Sequence, residues 1–215
     1  MVGSVPPAAR SAAAPTVPLP RRPLGPDAPA DRIRGWYENE LGWATVPGEP
    51  VRLSVGERFD VLDVPAEAGL AALRRLAPAS PVAVLGDRMR LLVAAGGAQE
   101  LPGILAWLEW GALPLDLRAI GAGGLVEAPL PPSGFGSAPD LEGEPAPDPT
   151  GPVQGAAVWL RPPVGGGETQ ASLPAMSALG GGGGAPDLVR LVDTLATHCH
   201  RVRLRRASVQ PLAFS

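Results

Sequence analysis

The sequence predicts an α+β domain, a small mixed sheet with packed helices, joined to a proline-rich arm and a C-terminal helix. Of its 215 residues, 45% are hydrophobic, and the net charge is only −3. A fully disordered chain would have a lower hydrophobic content and a higher net charge. Short strand-like and helix-like segments alternate irregularly along its middle, which favours α+β over a doubly wound sheet. The 28 glycines and 28 prolines indicate low-complexity attachments around one modest core.

Composition divides the chain into four parts. Residues 1–30 carry eight prolines and almost no bulky apolar side chains, so we expect a disordered, partly polyproline arm. Residues 31–163 hold the α+β body, 164–186 form a Gly-rich tether, and 187–215 form a C-terminal helix and tail. The segment Pro18–Pro23 has the composition of a polyproline II ligand, although a solvated leader is the favoured interpretation.

The first elements of the body follow from apolar spacing and from residues that begin or end helices. Asp31 is placed to cap a helix that Gly42 ends, with apolar side chains three and four residues apart between them. The pattern over 59–64 predicts a strand that Pro65 stops, and a helix is expected over 66–76. The apolar face of that helix is expected to comprise Leu70, Leu73 and Leu76.

A hairpin and a second helix follow. Segments 82–85 and 90–93 flank Gly86-Asp87, and this pattern predicts a hairpin. An apolar stripe predicts a helix over 100–110. The remaining expected elements are strands over 115–118, 125–128 and 158–160, and a helix over 187–206. We expect the first two of these strands to pair across a glycine turn.

Cysteine content and hydropathy exclude several classes. The single Cys199 excludes an intrachain disulfide framework and a zinc site built from several cysteines. No apolar run reaches the roughly 18 residues of a transmembrane helix, and prolines interrupt the alanine-rich N-terminal patch where a signal peptide needs an apolar stretch. We therefore expect a cytoplasmic protein with no membrane partner.

Charge is unevenly distributed along the chain. All 18 cationic side chains are arginine, a bias typical of GC-rich genomes, and residues 1–34 and 187–215 each carry +3. Residues 35–186 carry −9, whereas a general nucleic-acid binder should present a basic face. We expect the basic C-terminal helix to dock on the acidic body, because their charges are complementary.

Three blocks of the body occur in a recognisable order: Trp36–Gly48 (WYENELGWATVPG), Gly56–Pro65 (GERFDVLDVP) and Leu115–Gly134 (LDLRAIGAGGLVEAPLPPSG). They correspond to an opening helix with Gly-Trp, a glycine-led hydrophobic strand, and an Asp-hydrophobic-Arg segment that leads to Ala-Pro and Pro-Ser. In this order, over about residues 31–163, they resemble the N-terminal domain of bifunctional DNA primase/polymerases. This domain is archaeo-eukaryotic primase-like, and the resemblance is to a degenerate form of the actinobacterial type.

The resemblance implies two-metal nucleotidyl transfer, in which clustered carboxylates hold Mg²⁺. It would make Asp63 the strand carboxylate and Asp116 the distal one, so both are candidate catalytic and metal-binding residues. The family's second strand carboxylate falls on Pro65, and its hairpin histidine falls near Met89. Two expected groups are therefore missing, and nucleotidyl transfer should be reduced or lost.

Arginines next to these positions are the candidate nucleotide-binding residues, because a guanidinium fork matches phosphate oxygens. They are Arg88, Arg90 and Arg118. Asp60 is a poor substitute for the missing carboxylate, because residues three apart on a strand face opposite sides. A plainer interpretation, which the missing partners favour, makes Asp63 and Asp116 structural carboxylates bonded to a loop N–H or an arginine.

Two other motifs have simpler interpretations. His198-Cys199-His200 offers three metal-ligand types, but side chains 198 and 200 lie about 200° apart on a helix, so we interpret the motif as a helix end. The glycines at 121–124 lack a Walker lysine and lead into a strand, so we expect a tight turn rather than a phosphate loop.

Two functional hypotheses follow. The first is a DNA primase/polymerase-like protein of DNA replication or maintenance with reduced or lost nucleotidyl transfer, which binds nucleotide or nucleic acid weakly and uses Mg²⁺ if any activity survives. It requires Asp63, Asp116 and at least one of the three arginines to converge on one site. The alternative is a non-enzymatic regulatory or scaffold protein that binds a protein partner through the Pro-rich arm and the C-terminal helix. It predicts scattered site residues and an apolar groove beside the final helix.

Overall fold

The computed structural model describes residues 29–132, 156–165, 167–176 and 187–209. The expected Pro-rich arm lies outside these ranges except for its last two residues, as does the Pro18–Pro23 motif.

The described residues form an α+β structure of two small antiparallel sheets with packed helices, which confirms the predicted fold class. The helices are α1 (Pro29–Gly35), α2 (Ala66–Ala72), α3 (Gly97–Trp107), α4 (Gly167–Ser172) and α5 (Leu188–Val209). A π-helical turn, Trp36–Leu41, extends α1, and a 3₁₀ turn, Leu73–Arg75, extends α2. The strands are β1 (Thr45–Val46), β2 (Arg52–Ser54), β3 (Phe59–Pro65), β4 (Val82–Leu85), β5 (Arg88–Ala94), β6 (Arg118–Ile120), β7 (Leu125–Glu127) and β8 (Val158–Arg161).

The larger sheet has the strand order β6-β3-β5-β4-β8, and the smaller one has the order β1-β2-β7. Every residue of β3 is buried, because the strand lies inside the larger sheet and both of its faces are covered along most of their length. It pairs with β5 over its whole length, from Phe59 opposite Ala94 to Pro65 opposite Arg88.

Helices α2, α3 and α5 cover one face of the larger sheet. Leu62 and Val64 of β3 belong to the same apolar cluster as Leu91 and Val93 of β5 and the apolar stripe of α5. Gly69 allows α2 to lie directly on β5, because a Cβ atom at this position would overlap the side chain of Met89.

The smaller sheet and the aromatic π-helical turn cover part of the opposite face. Phe59 and Val61 of β3 pack there with Leu92 of β5, Trp43 and Leu53. This second cluster contains no β3 residue beyond Val61. The end of β3 that carries Asp63 and Pro65 therefore lies at the rim of the covered area.

Tyr37 joins three distant segments at the centre of the second cluster. Its ring is completely buried, and its hydroxyl donates to the carbonyl oxygen of Pro129 at 2.7 Å and accepts from Nε1 of Trp159 at 3.1 Å. The ring also stacks on Trp43, with 6.0 Å between centroids. Burial raises the pKa of Tyr37 far above its ordinary value, so the hydroxyl remains a hydrogen-bond donor.

Most of the predicted elements are present near their expected positions. The first helix ends at Gly42, whose φ of 65° places it in the left-handed region that favours glycine. The hairpin at Gly86, the strand from Phe59 and the short strand from Val158 are also confirmed. Asp187 accepts a hydrogen bond from the N–H of Val189 at 2.8 Å and thereby caps the final helix.

The apolar face predicted for the helix over 66–76 is confirmed for Leu76, which is buried, and for Leu73, which packs against the core, but it is wrong for Leu70. Leu70 is 55% exposed, and the residues that face the sheet are Ala68, Gly69 and Ala72. Small side chains occupy this face because the helix approaches β5 too closely for leucine.

The expected pairing of 115–118 with 125–128 is also wrong. Strand β6 begins only at Arg118 and pairs with β3, whereas β7 pairs with β2 in the smaller sheet. The glycine turn, closed by a bond of 2.9 Å from Gly124 N–H to the Gly121 carbonyl, carries the chain from one sheet to the other.

The range 164–186, expected to be a tether, contains α4 and buried residues such as Thr169 and Leu173. Its remainder from 177 onward lies outside the described residues. The final helix docks on the body, as expected, although apolar packing rather than charge forms most of the contact: Leu191, Leu195 and Val202 are core residues. Among the described helices, none combines the length and the apolar character needed to cross a bilayer.

We predict that Tyr37→Phe lowers the free energy of unfolding by about 1–3 kcal/mol, because it leaves the carbonyl of the buried Pro129 and the indole N–H of the half-buried Trp159 without their partner. Urea titration measures this loss. Trp159→Phe removes the other end of the same network, so the double variant should lose less than the sum of the single losses. Strictly additive losses, or a Tyr37→Phe variant as stable as the wild type, would contradict the role of this network.

Candidate functional site

The candidate site begins with one row of residues across three neighbouring strands. Asp63 on β3 lies opposite Arg90 on β5 and opposite Arg118 on β6. Directly opposed residues in antiparallel strands project to the same face of the sheet. The register therefore places a buried aspartate between two arginines. All three lie on the sheet face that the second apolar cluster covers, at the rim of the covered area.

Arg88 connects this row to Asp116. Its guanidinium bonds Oδ1 of Asp63 through Nε at 2.5 Å and the Asp63 carbonyl through Nη2 at 3.0 Å. Nη1 of the same guanidinium lies 2.7 Å from Oδ1 of Asp116. Asp63 and Asp116 thus converge on one cation, although 53 positions separate them along the chain.

The electrostatics of Arg88 follow from this bridge. Burial by itself lowers the pKa of Arg88, but the hydrogen bonds and charges of Asp116 and Asp63 outweigh it and raise the pKa overall. Arg88 therefore carries a permanent positive charge between two carboxylates.

Arg90 completes the shell around Asp63. Its Nε donates to Oδ2 of Asp63 at 3.3 Å, so both carboxylate oxygens accept bonds from arginine. Nη1 of Arg90 is buried and has no hydrogen-bond partner within the described residues. Arg118, by contrast, is exposed on the edge strand β6.

The structure also shows where the two positions that lack the expected catalytic groups, Pro65 and Met89, lie relative to the site. Pro65 is opposite Arg88 and on the same face as Asp63, so the position that a second carboxylate would occupy adjoins the guanidinium. Met89 faces the opposite side, where it is buried against α2, so a side chain at 89 cannot reach the site.

Asp60 lies on the helix side of the sheet, as the alternation of strand side chains predicts. Its Oδ2 accepts the N–H of Ala98 at 2.9 Å, in the first turn of α3. A carboxylate here offsets the positive end of the helix dipole. Asp60 is therefore a structural residue of the helix face.

The residues present do not fit a divalent metal ion. Asp63 and Asp116 already share a cation, the guanidinium of Arg88, and a metal ion bound by both would have to displace it. Within the described ranges, no group of three or more His, Cys, Asp or Glu side chains is placed to hold a metal. The arrangement is that of carboxylates bonded to arginine, which the plainer interpretation expects.

A pocket of about 310 Å³ adjoins the bridge and is lined by Pro65, Pro114, Leu115, Asp116, Cys199, Val202, Arg203 and Arg206. Four of these residues come from α5, which the sequence analysis did not assign to the site. Their sequence signal, a basic helix end, was visible, but only the docking of α5 brings it to Asp116.

Cys199 lies at the inner wall of this pocket. Its thiol donates to the carbonyl oxygen of Asp116 at 3.6 Å and is buried. Burial raises the pKa of Cys199 to about 12, and the charge of Asp116 adds to the rise while Arg88 opposes it. The thiol is therefore protonated at neutral pH and is a poor nucleophile.

The His198-Cys199-His200 motif lies within α5, and its side chains have separate surroundings. Cys199 is a core residue, whereas the ring of His200 lies 6.0 Å from that of Trp110. Burial, followed by the charges of Arg201, Arg74 and Arg205, lowers the pKa of His198. The motif lies in the middle of α5, nine residues before its last residue, so its interpretation as a helix end is wrong.

Comparison of the chain with protein-family models, with curated proteins and with solved structures finds no match in any of the three.

We predict that Cys199 reacts slowly with a disulfide reagent in the native protein between pH 7 and about pH 9, because a buried thiol with a raised pKa supplies little thiolate. Reaction in guanidinium chloride should reach one thiol per chain within the mixing time. Ellman's reagent measures both rates, with Cys199→Ala as the blank. Rapid stoichiometric reaction of the folded protein would contradict the burial described here.

We predict that Arg88→Met lowers the free energy of unfolding by about 2 kcal/mol at neutral pH, because it leaves the buried Asp63 with Arg90 alone. Arg118→Met is the matched control, because Arg118 lies opposite Asp63 in the sheet but is exposed. This variant should change stability by no more than about 0.5 kcal/mol. Denaturant titration compares the two. Equal losses would mean that the bridge does not stabilise the sheet.

Proposed function

We propose that this chain is a primase/polymerase-like domain that binds nucleotides through their phosphates and has lost nucleotidyl transfer. The observation that carries the proposal is the Arg88 guanidinium, which occupies the position between Asp63 and Asp116 where the resemblance would put Mg²⁺. The proposal keeps the cytoplasmic location expected from the sequence.

The convergence of Asp63 and Asp116 supports the resemblance. The glycine-led strand β3 and the Asp-hydrophobic-Arg segment that enters β6 are neighbours in the sheet, with Asp63 opposite Arg118. The described site residues therefore do not scatter as the scaffold hypothesis predicts.

The chemistry of the site favours binding over transfer. Two-metal transfer needs cations that contact the attacking and leaving oxygens directly. A guanidinium bonded to two carboxylates presents few free donors and cannot activate a hydroxyl in this way. The resulting site holds three arginines against two aspartates, which suits a phosphate.

Arg118 is positioned to contact such a phosphate, because it is exposed at the edge of the sheet. Arg90 retains an N–H group without a partner among the described residues, but this group is buried, so a phosphate reaches it only if neighbouring side chains move. Arginine forks bind phosphate oxygens with two parallel hydrogen bonds. Asp63 competes with the phosphate for Arg88 and Arg90, which is consistent with weak binding.

The scaffold alternative receives less support. It assigns partner binding to the C-terminal helix, but Leu188, Leu191, Leu195 and Val202 of that helix are buried in the domain core. One feature that this alternative predicts is present, since the pocket of about 310 Å³ beside α5 is lined partly by Pro65, Leu115 and Val202.

We predict that Asp63→Asn strengthens binding of a deoxynucleoside triphosphate several-fold, because it removes an anion that competes for Arg88 and Arg90. A metal site predicts the reverse, since loss of Asp63 would remove a ligand. Titration calorimetry with dATP, in EDTA and in Mg²⁺, separates the two. Asp60→Asn is the matched control: it changes the same residue type on the same strand, but on the opposite face, and should leave binding unchanged.

Three outcomes would overturn the proposal. The first is negligible dATP binding by both the wild type and Asp63→Asn. The second is binding that requires Mg²⁺ and is lost in Asp63→Asn. The third is template-directed nucleotide incorporation by the wild-type protein, which would show that transfer survives.

A further inference from the structure

The docking of α5 brings its basic end beside two arginines of a distant segment, which the linear charge pattern does not show. Its apolar stripe is buried, so the arginines of its last turns face outward. The 3₁₀ turn after α2 packs beside the helix and adds two more exposed arginines. We call this set the α5 surface; it comprises Arg74, Arg75, Arg201, Arg203, Arg205 and Arg206.

The arginines surround the last turns of α5: Arg205 pairs with Glu67 of α2, whereas Arg203, about 160° away around the helix, bonds Pro114. The pKa of His198, which lies between them, is lowered first by burial and then by the charges of Arg201, Arg74 and Arg205. Arginines from both α5 and the 3₁₀ turn are therefore within electrostatic reach of the same imidazole.

Few acidic groups neutralise this surface. Within the described part of the chain, Glu67 forms an ion pair with Arg205, and Arg203 donates to the carbonyl oxygen of Pro114 at 3.3 Å. No other ion pair involves the α5 surface in the described residues. The surface thus retains a strong net positive charge even though the middle of the chain is acidic.

We propose that the α5 surface binds the phosphodiester backbone of a nucleic acid strand without sequence specificity. Several exposed arginines around one helix end suit contacts with a phosphodiester backbone, and release of the counterions condensed on the nucleic acid supplies the affinity. The inference adds a second surface to the proposed function and does not require a nucleotide to bind at Asp63.

The position of the surface relates it to the candidate site. Arg203 and Arg206 line the pocket that also contains Asp116 and Pro65. A strand held along α5 would therefore end beside the Asp63–Arg88–Asp116 bridge.

A lipid surface is a poorer partner for the same charges. A membrane-bound amphipathic helix inserts its apolar face between lipids, but the apolar face of α5 is packed against the sheet. On its outer side, α5 exposes the large apolar side chain of Leu204, which is 55% exposed, among the arginines.

Fluorescence anisotropy of the full chain with a fluorescein-labelled oligonucleotide, single-stranded or as a duplex, tests this proposal over a salt series. The wild type should bind both, with affinity falling steeply as salt rises. The triple variant Arg201→Gln/Arg203→Gln/Arg206→Gln should bind roughly tenfold or more weakly, and its log–log salt slope should be shallower by about 0.9 per lost phosphate contact on duplex or about 0.7 on single strands.

The matched control is Arg32→Gln/Arg52→Gln/Arg58→Gln, which changes the net charge equally at exposed arginines outside the α5 surface. It should bind like the wild type. The corresponding Arg→Lys triple at 201, 203 and 206 keeps the charge and should restore most of the affinity, which distinguishes phosphate binding from a folding defect.

Several results would overturn the inference: no oligonucleotide binding by the wild type at low salt, equal losses in both glutamine triples, or binding to anionic phospholipid vesicles in preference to the oligonucleotide. The dATP titration is independent of this test, because Asp63→Asn leaves the α5 surface intact. Failure of either experiment therefore leaves the other proposal standing.

Discussion

The burial of β3 on both faces is the constraint that determines where every charged group of the site lies. Alternation along a strand sends Asp60 to the helix side, where it caps α3, and Asp63 to the other side. The aromatic cluster covers that second face only as far as Val61. A carboxylate buried at the rim of such a cluster requires a cationic partner, because burying an unpaired charge costs on the order of several kcal/mol. The antiparallel register of β5 supplies two.

Arg88 gives the site a character different from that of a metal centre. A guanidinium belongs to the chain, carries one charge at every accessible pH and cannot exchange with solvent ions, whereas a bound Mg²⁺ contributes two charges and open coordination positions. Pro65, opposite Arg88, adds no further carboxylate to hold a metal. The carboxylates are therefore neutralised from within the protein, and the exposed Arg118 is left for anions. Structure and binding then depend on the same three strands, since removal of Arg88 affects both.

Helix α5 serves two purposes through its two sides. Its apolar stripe completes the core against α2, α3 and the sheet, which removes that stripe from any external interaction. Its arginines then have to face solvent, where they lie beside those of the 3₁₀ turn and at the mouth of the pocket that contains Asp116. A helix that the sequence presents as a separate C-terminal part is thus both a core element and the wall of the candidate site.

The sequence by itself determined the α+β class, most helices and strands, the caps at Gly42 and Asp187, and the opposite orientations of Asp60 and Asp63, because these depend on interactions between residues close together in the chain. It also identified Asp63, Asp116 and the three arginines, as metal ligands and phosphate binders in one interpretation and, for the two aspartates, as structural carboxylates bonded to a loop N–H or an arginine in the interpretation it favoured. Only the tertiary structure decided that Arg88 bridges the two aspartates, that β6 and β7 belong to different sheets, and that α5 borders the site. Each of these depends on strand order, register or docking between distant segments, which local periodicity does not encode.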